Sequence, residues 1–224
     1  KFGNIKLTTW TQRERIASRE ELLAVLTACR ERLTAENVWP WTIYLILLVI
    51  LTGARPSEIR TAKHSDIDLE RGILTKEQHK TRRKTKKARL IELNLAACEL
   101  IAKMPKISGN EYLIPGRNPG EPLTNHYKHG WKGVCTLAGV KGLWLYDLRR
   151  TFTSMGLDQG FTLDQLGKAL GHSHAATTAG YAWLLPNERK RIASGIGSEI
   201  AGLVPGFLST PGLAAPDTEP ESRS

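Results

Sequence analysis

Two arginines, a histidine and a tyrosine in this chain could do chemistry together, each from a short stretch of unusual company. Arg55 stands in "LTGARPSEI", directly after a strongly apolar run and at a turn made by Gly53 and Pro56. Arg149 and Arg150 stand in "LYDLRRTF", in what reads as the first turn of a helix. A guanidinium keeps its charge at any physiological pH, so placing one beside apolar segments calls for an anion. Glu58 and Asp147 are the internal candidates for that anion, and a bound ligand is the other. "LGHSHAATTAGYAW" then supplies Gly171, His172 and, nine residues after the histidine, Tyr181. A histidine can donate or accept a proton near neutral pH. A tyrosine hydroxyl is a weak nucleophile at its ordinary pKa of about 10, and cationic neighbours help it ionise.

The bulk composition says what kind of anion to expect. Lysine and arginine outnumber aspartate and glutamate 32 to 22, a net charge of +10 with a pI near 9.7. Such an excess fits a polyanionic partner, because cations that neutralise phosphates gain affinity by releasing counterions. Hydrophobic content of 41% is that of an ordinary globular domain. Cys29, Cys98 and Cys135 are odd in number and far apart, so they read as small buried residues of a reducing compartment, the cytoplasm. The most apolar run, "WTIYLILLVIL", is too short to span a bilayer, and no signal peptide opens the chain.

The elements that must hold these residues follow from the pattern. Ser18 with Glu21 three residues later is a capping box that opens a helix with apolar residues at Leu22, Val25, Leu26 and Leu33. A buried helix over about 39–51 ends at Gly53, and Pro56 starts a short one. "GILTKEQHKT" and "ARLIEL" read as two strands of a β-hairpin around a basic turn. Asn94 caps "LAACELIAKM"; residues 105–123 form a loop with a short extended piece, "EYLIP". Helices follow over about 124–138, 147–159, 163–170 and 174–184, with a last one over about 187–203. The expected fold is α/β mixed, mainly α-helical, with one small antiparallel sheet. Trp131, Trp144 and Trp183 are assigned to the core by their apolar neighbours, and His126 and His174 to surface or capping positions.

Taken together, four of these stretches resemble the catalytic domain of the tyrosine recombinases, the phage integrase family, over about residues 15–200. "TGARPSEI" is similar to the family's first arginine box, with Arg55 as the arginine and Glu58 as the acidic residue that often follows. "YDLRRTF" is similar to the second box, with Arg149 as its arginine. "LGH" and "GYAW" supply His172 and Tyr181 at the second histidine and nucleophilic tyrosine positions. The resemblance implies attack by Tyr181 on a DNA phosphodiester, clamped by Arg55 and Arg149, with His172 as proton donor or acceptor. A covalent 3′-phosphotyrosine would keep the bond energy, so strands could be rejoined without ATP, metal or other cofactor.

The family also uses a hairpin lysine as general acid for the departing 5′ oxygen. Lys80 fits by its spacing from "GIL" and is preferred; Lys84 fits when counted back from "RLIEL", since "KTKKARLIEL" resembles the family's "KTGKSRTVPL" pattern. Arg82, Arg83, Lys84, Lys86, Lys87 and Arg89 are expected on the DNA backbone, a sequence-independent contact. One position departs from the pattern: the second box usually begins with histidine, and here Tyr146 stands there. A tyrosine can hydrogen-bond a phosphate oxygen but carries no positive charge.

By the same resemblance the partners would be double-stranded attachment sites, with a homotetramer on DNA and a monomer alone, in a bacterial cytoplasm at the nucleoid. Residues 1–14 read as an interdomain linker, 15–203 as the catalytic domain and 204–224 as a disordered tail. The family's amino-terminal core-binding domain is not in this sequence. Two rival readings remain: a type IB topoisomerase with similar chemistry, and a DNA-binding relic without catalysis, which Tyr146 makes thinkable.

Overall fold

Ser18 opens the first helix by the reciprocal bonding its sequence predicts. Its hydroxyl accepts from the Glu21 backbone N–H at 3.2 Å, and the Glu21 carboxylate accepts from the Ser18 N–H at 3.0 Å. Two donors that a helix start would otherwise leave orphaned are thereby satisfied. This helix, α1, spans Arg19–Thr34. The computed structural model describes residues 13–35, 39–77 and 88–171, all within one compact unit, Lys1–Ala182.

The run "WTIYLILLVILT" forms α2, Trp41–Thr52. A helix that is apolar all round must be surrounded, and this one is. It packs against α1, α3 (Pro56–Arg60), α4 (Leu95–Lys103), α5 (Tyr127–Leu137) and α6 (Asp147–Asp158). Leu45, Ile46, Leu48 and Val49 are fully buried, each contributing about 1.5–3 kcal/mol. Gly53 ends the helix at φ 62°, its N–H returning to the Val49 carbonyl. A Cβ there would meet the Phe152 ring at 2.8 Å and Leu170 at 2.9 Å, so both conformation and space require glycine. Pro56 then occupies the first position of α3, where a missing N–H does no harm.

The expected hairpin is present as β2 (Ile73–Lys76) and β3 (Arg89–Glu92), antiparallel with Leu74 opposite Ile91 and Lys76 opposite Arg89. The sequence pattern did not reveal β1, Ile67–Asp68, which pairs with β2 and makes a three-stranded sheet of order β1-β2-β3. Two residues are too few to show alternation. On β3 the alternation is plain: Arg89 and Ile91 face inward, Leu90 and Glu92 outward. Opposite Arg89, Lys76 is also buried, its Nζ donating to the Thr61 carbonyl at 2.6 Å and to Asp66 at 2.9 Å.

Asn94 caps α4 by accepting from Ala97 at 2.9 Å, as its sequence predicts. The 105–123 loop carries short bridges, Lys63 with Tyr112 and Pro115 with Pro122. After α5 and α6 comes α7, Leu163–Ala169, opened by a Thr162–Gln165 capping box. The helices expected over 174–184 and 187–203 lie outside the described residues, as does Trp183. Trp131 is buried, its Nε1 donating to the Leu143 carbonyl at 3.0 Å. Trp144 corrects the sequence expectation: it is 62% exposed, with the Arg13 guanidinium stacked 4.3 Å from its ring centre. Its apolar neighbours Leu143 and Leu145 are the buried ones. Cys29 and Cys135 are buried free thiols, and burial pushes them up to about 12 and about 11. Cys98 is half-buried. No helix among the described residues is long and apolar enough to cross a membrane.

Candidate active site

The end of α2 and the start of α3 place Arg55 at the N-cap of a short helix, with Glu58 in its first turn. One Glu58 oxygen, Oε2, accepts from the Arg55 backbone N–H at 2.9 Å. The other, Oε1, accepts from Arg55 Nη1 at 2.8 Å and lies 2.7 Å from Arg89 Nε. Arg55 and Arg89 thus share a single carboxylate, leaving the trio one positive charge in excess. Burial pushes the Glu58 carboxyl up, but the Arg89 charge, the Arg55 N–H and the Arg55 guanidinium outweigh it and hold the group below its ordinary value. Burial works against the Arg55 cation too; the Glu58 charge and hydrogen bond, with the Tyr146 side chain, raise it above the ordinary value nonetheless.

The second box joins the same place from 91 residues further along the chain. Tyr146, at the N-cap of α6, comes close enough to Arg55 for its side chain to help hold the Arg55 cation, and the Arg150 guanidinium lies 5.6 Å from its ring centre. Arg149 is fully buried: Nη1 donates to the Gly53 carbonyl at 2.6 Å and Nη2 to the Leu170 carbonyl at 2.9 Å. It therefore ties the turn before Arg55 to the end of α7. Asp147 fixes the first turn of α6. Its side chain is wholly buried and accepts from the Trp144 N–H at 2.8 Å and Arg150 Nη1 at 2.8 Å. Arg13 Nε adds bonds to both carboxylate oxygens at 3.0 and 3.1 Å. Of the two internal ion pairs considered from sequence, Arg55–Glu58 forms and Asp147 takes Arg150 and Arg13, while the described partners of Arg149 are backbone carbonyls.

Arg89 requires a correction. Expected on the DNA backbone with the cations of the hairpin turn, it is 6% exposed, because strand alternation turns it to the face of Ile91. Its Nη1 lies against Gly171, where φ is 61° and where a Cβ would fall on that nitrogen. The glycine of "LGH" is thus fixed twice, by conformation and by Arg89. Burial lowers the Arg89 cation's pKa, and the nearby Arg149 and Arg55 charges add to this against the pull of Glu58. Lys80, Arg82, Arg83, Lys84, Lys86, Lys87, His172 and Tyr181 lie outside the described residues.

The described part of the site therefore joins Arg55, Glu58, Arg89, Tyr146 and Arg149, and ends at Gly171, one residue before His172. Sequence reading missed the inward turn of Arg89, although "RLIEL" carried the signal: period-two alternation puts Arg89 on the face of Ile91. No cluster of three or more His, Cys, Asp or Glu among the described residues could hold a metal ion. A separate cleft of about 660 Å³, lined in part by Arg32, Trp39, Arg117 and His129, shares no residue with this arginine cluster.

The sequence profile of the phage integrase family matches residues 17–188. Among solved structures the chain is similar to XerA recombinase, with a TM-score of 0.63 and 20% identity over 83% of this chain and 66% of that one. It is similar to XerH site-specific recombinase in a post-cleavage complex with a palindromic difH substrate, with a TM-score of 0.64 and 22% identity over 80% of this chain and 52% of that one. The catalytic domain of bacteriophage HP1 integrase aligns over its full length and 91% of this chain, with a TM-score of 0.56 and 21% identity. The chain spans between about half and two thirds of the length of the two Xer recombinases. No curated protein sequence matches it. With the profile covering most of the chain and the fold shared with these catalytic domains, the chain belongs to the phage integrase family.

Proposed function

We propose that this chain is the catalytic domain of a site-specific DNA recombinase that cuts and rejoins strands through a 3′-phosphotyrosine on Tyr181. The observation that carries the reading is the joining of the two arginine boxes: Arg149 Nη1 donates to the Gly53 carbonyl, two residues before Arg55. Arg55 and Arg149 clamp the non-bridging oxygens as negative charge builds on them, and comparable arginines contribute about 10³–10⁵ in phosphoryl transfer. Lys80 (or Lys84) protonates the leaving 5′ oxygen, and His172 moves the proton that Tyr181 loses. Arg82, Arg83, Lys86 and Lys87 hold DNA backbone. The substrate is double-stranded DNA at attachment sites, on which four copies assemble. The chemistry uses no metal, ATP or other cofactor.

The test is an SDS-stable adduct on nicked suicide substrates taken from the ends of the genetic element that encodes the protein. Wild type is expected to give the adduct and Tyr181→Phe none. DNA binding without an adduct would instead identify a non-catalytic relic. Covalent cleavage of any plasmid, with relaxation of supercoils, would identify a topoisomerase.

Tyr146 takes the place of the usual histidine because its side chain lies close to Arg55 and its hydroxyl can hydrogen-bond a phosphate oxygen. Tyr146→His is therefore expected to change the single-turnover cleavage rate by less than about threefold, below about 0.7 kcal/mol. A gain of hundreds would show that this tyrosine is a defect.

A further inference from the structure

We propose that Arg89 is a positioning residue for the phosphate chemistry, holding Arg55 through Glu58 and setting the backbone of Gly171 at the approach to His172. The inference rests on the recombinase reading of Arg55 and His172 given above. Three observations carry it. Arg89 Nε lies 2.7 Å from the same Glu58 oxygen that accepts from Arg55 Nη1. Moving Arg89 therefore moves the carboxylate that orients Arg55. Neither its Nε nor its Nη1 makes a hydrogen bond among the described residues, so the hold on Glu58 is an ion-pair contact, and Nη1 fills the space that any side chain at Gly171 would need. Arg89 also sits among charges, with the Arg55 and Arg149 cations nearby and the buried Lys76 opposite it across the strand pair.

Removing one partner of a buried ion pair costs stability, because the other is left short of its counter-charge. The variant that separates positioning from plain stabilisation is therefore Arg89→Lys, which leaves Glu58 a cation but takes away the planar fork that fixes where the carboxylate sits.

The experiment compares wild type, Arg89→Met, Arg89→Lys and Tyr181→Phe on the same nicked substrates. It reads DNA affinity, the cleavage rate at saturating DNA and the melting temperature. Arg89→Lys is expected to keep DNA affinity within about twofold, to melt within about 3 °C of wild type and to cleave at least tenfold more slowly. Arg89→Met, which leaves Glu58 short of a cation, should cleave no faster and melt lower. A cleavage rate within twofold of wild type in both variants overturns the proposal. So does weakened DNA binding with an unchanged saturated rate, which would make Arg89 a backbone contact. Parallel losses of rate and melting temperature in Arg89→Lys would make it structural only. A wild type that forms no adduct overturns the recombinase reading itself, and the role of Arg89 with it. An active wild type beside equally active Arg89 variants overturns the role alone.

Discussion

Arg149→Lys should reduce strand cleavage by about 10³-fold or more, the lower end of what arginines contribute to phosphoryl transfer. The same substitution should also lower stability. Arg149 is wholly buried and spans two carbonyls, Gly53 at 2.6 Å and Leu170 at 2.9 Å. An ammonium is a point charge on a flexible stem and cannot reproduce a planar fork. One of the two carbonyls would be left without its donor, at about 1–3 kcal/mol. For a chain of this size that corresponds to about 2–12 °C in melting temperature. Single-turnover cleavage and a thermal melt, run together, check both halves. A cleavage rate within tenfold of wild type would contradict the assignment of Arg149 to the phosphate.

Asp147→Ala should have the larger effect on the fold. Its buried carboxylate gathers the Trp144 N–H, Arg150 and Arg13, and so fixes the turn that carries Tyr146 and Arg149. Removing one partner from a buried charged cluster costs about 3–5 kcal/mol, because the remaining groups lose their counter-charge. The expected drop in melting temperature is about 6–20 °C. Arg13 would be released from its place over Trp144, and the loss of α6's first turn should remove cleavage with it. A variant that melts within about 2 °C of wild type would contradict this role.

What was legible in the sequence was local. Caps at Ser18 and Asn94, the glycine stop at Gly53 and proline at Pro56 are written in two to four adjacent residues, and the helices begin and end where they predict. The two arginine boxes were legible as motifs, and so was the Glu58 partner of Arg55. Their meeting depends on tertiary packing around α2, which no window of sequence contains. β1 was missed because a two-residue strand has no pattern. Trp144 was misjudged because apolar neighbours in sequence do not put a side chain on the same face. Arg89 was misjudged for the opposite reason. It was grouped with the basic turn that precedes it, when the strand that follows dictates its direction.

The most direct measurement digests the protein–DNA adduct with protease and nuclease and maps the modified peptide by mass spectrometry. The account predicts a nucleotide joined through its 3′ phosphate to Tyr181 and to no other residue. A 5′ linkage, a nucleotide on another side chain, or a DNA-bound protein that never forms an adduct would contradict it.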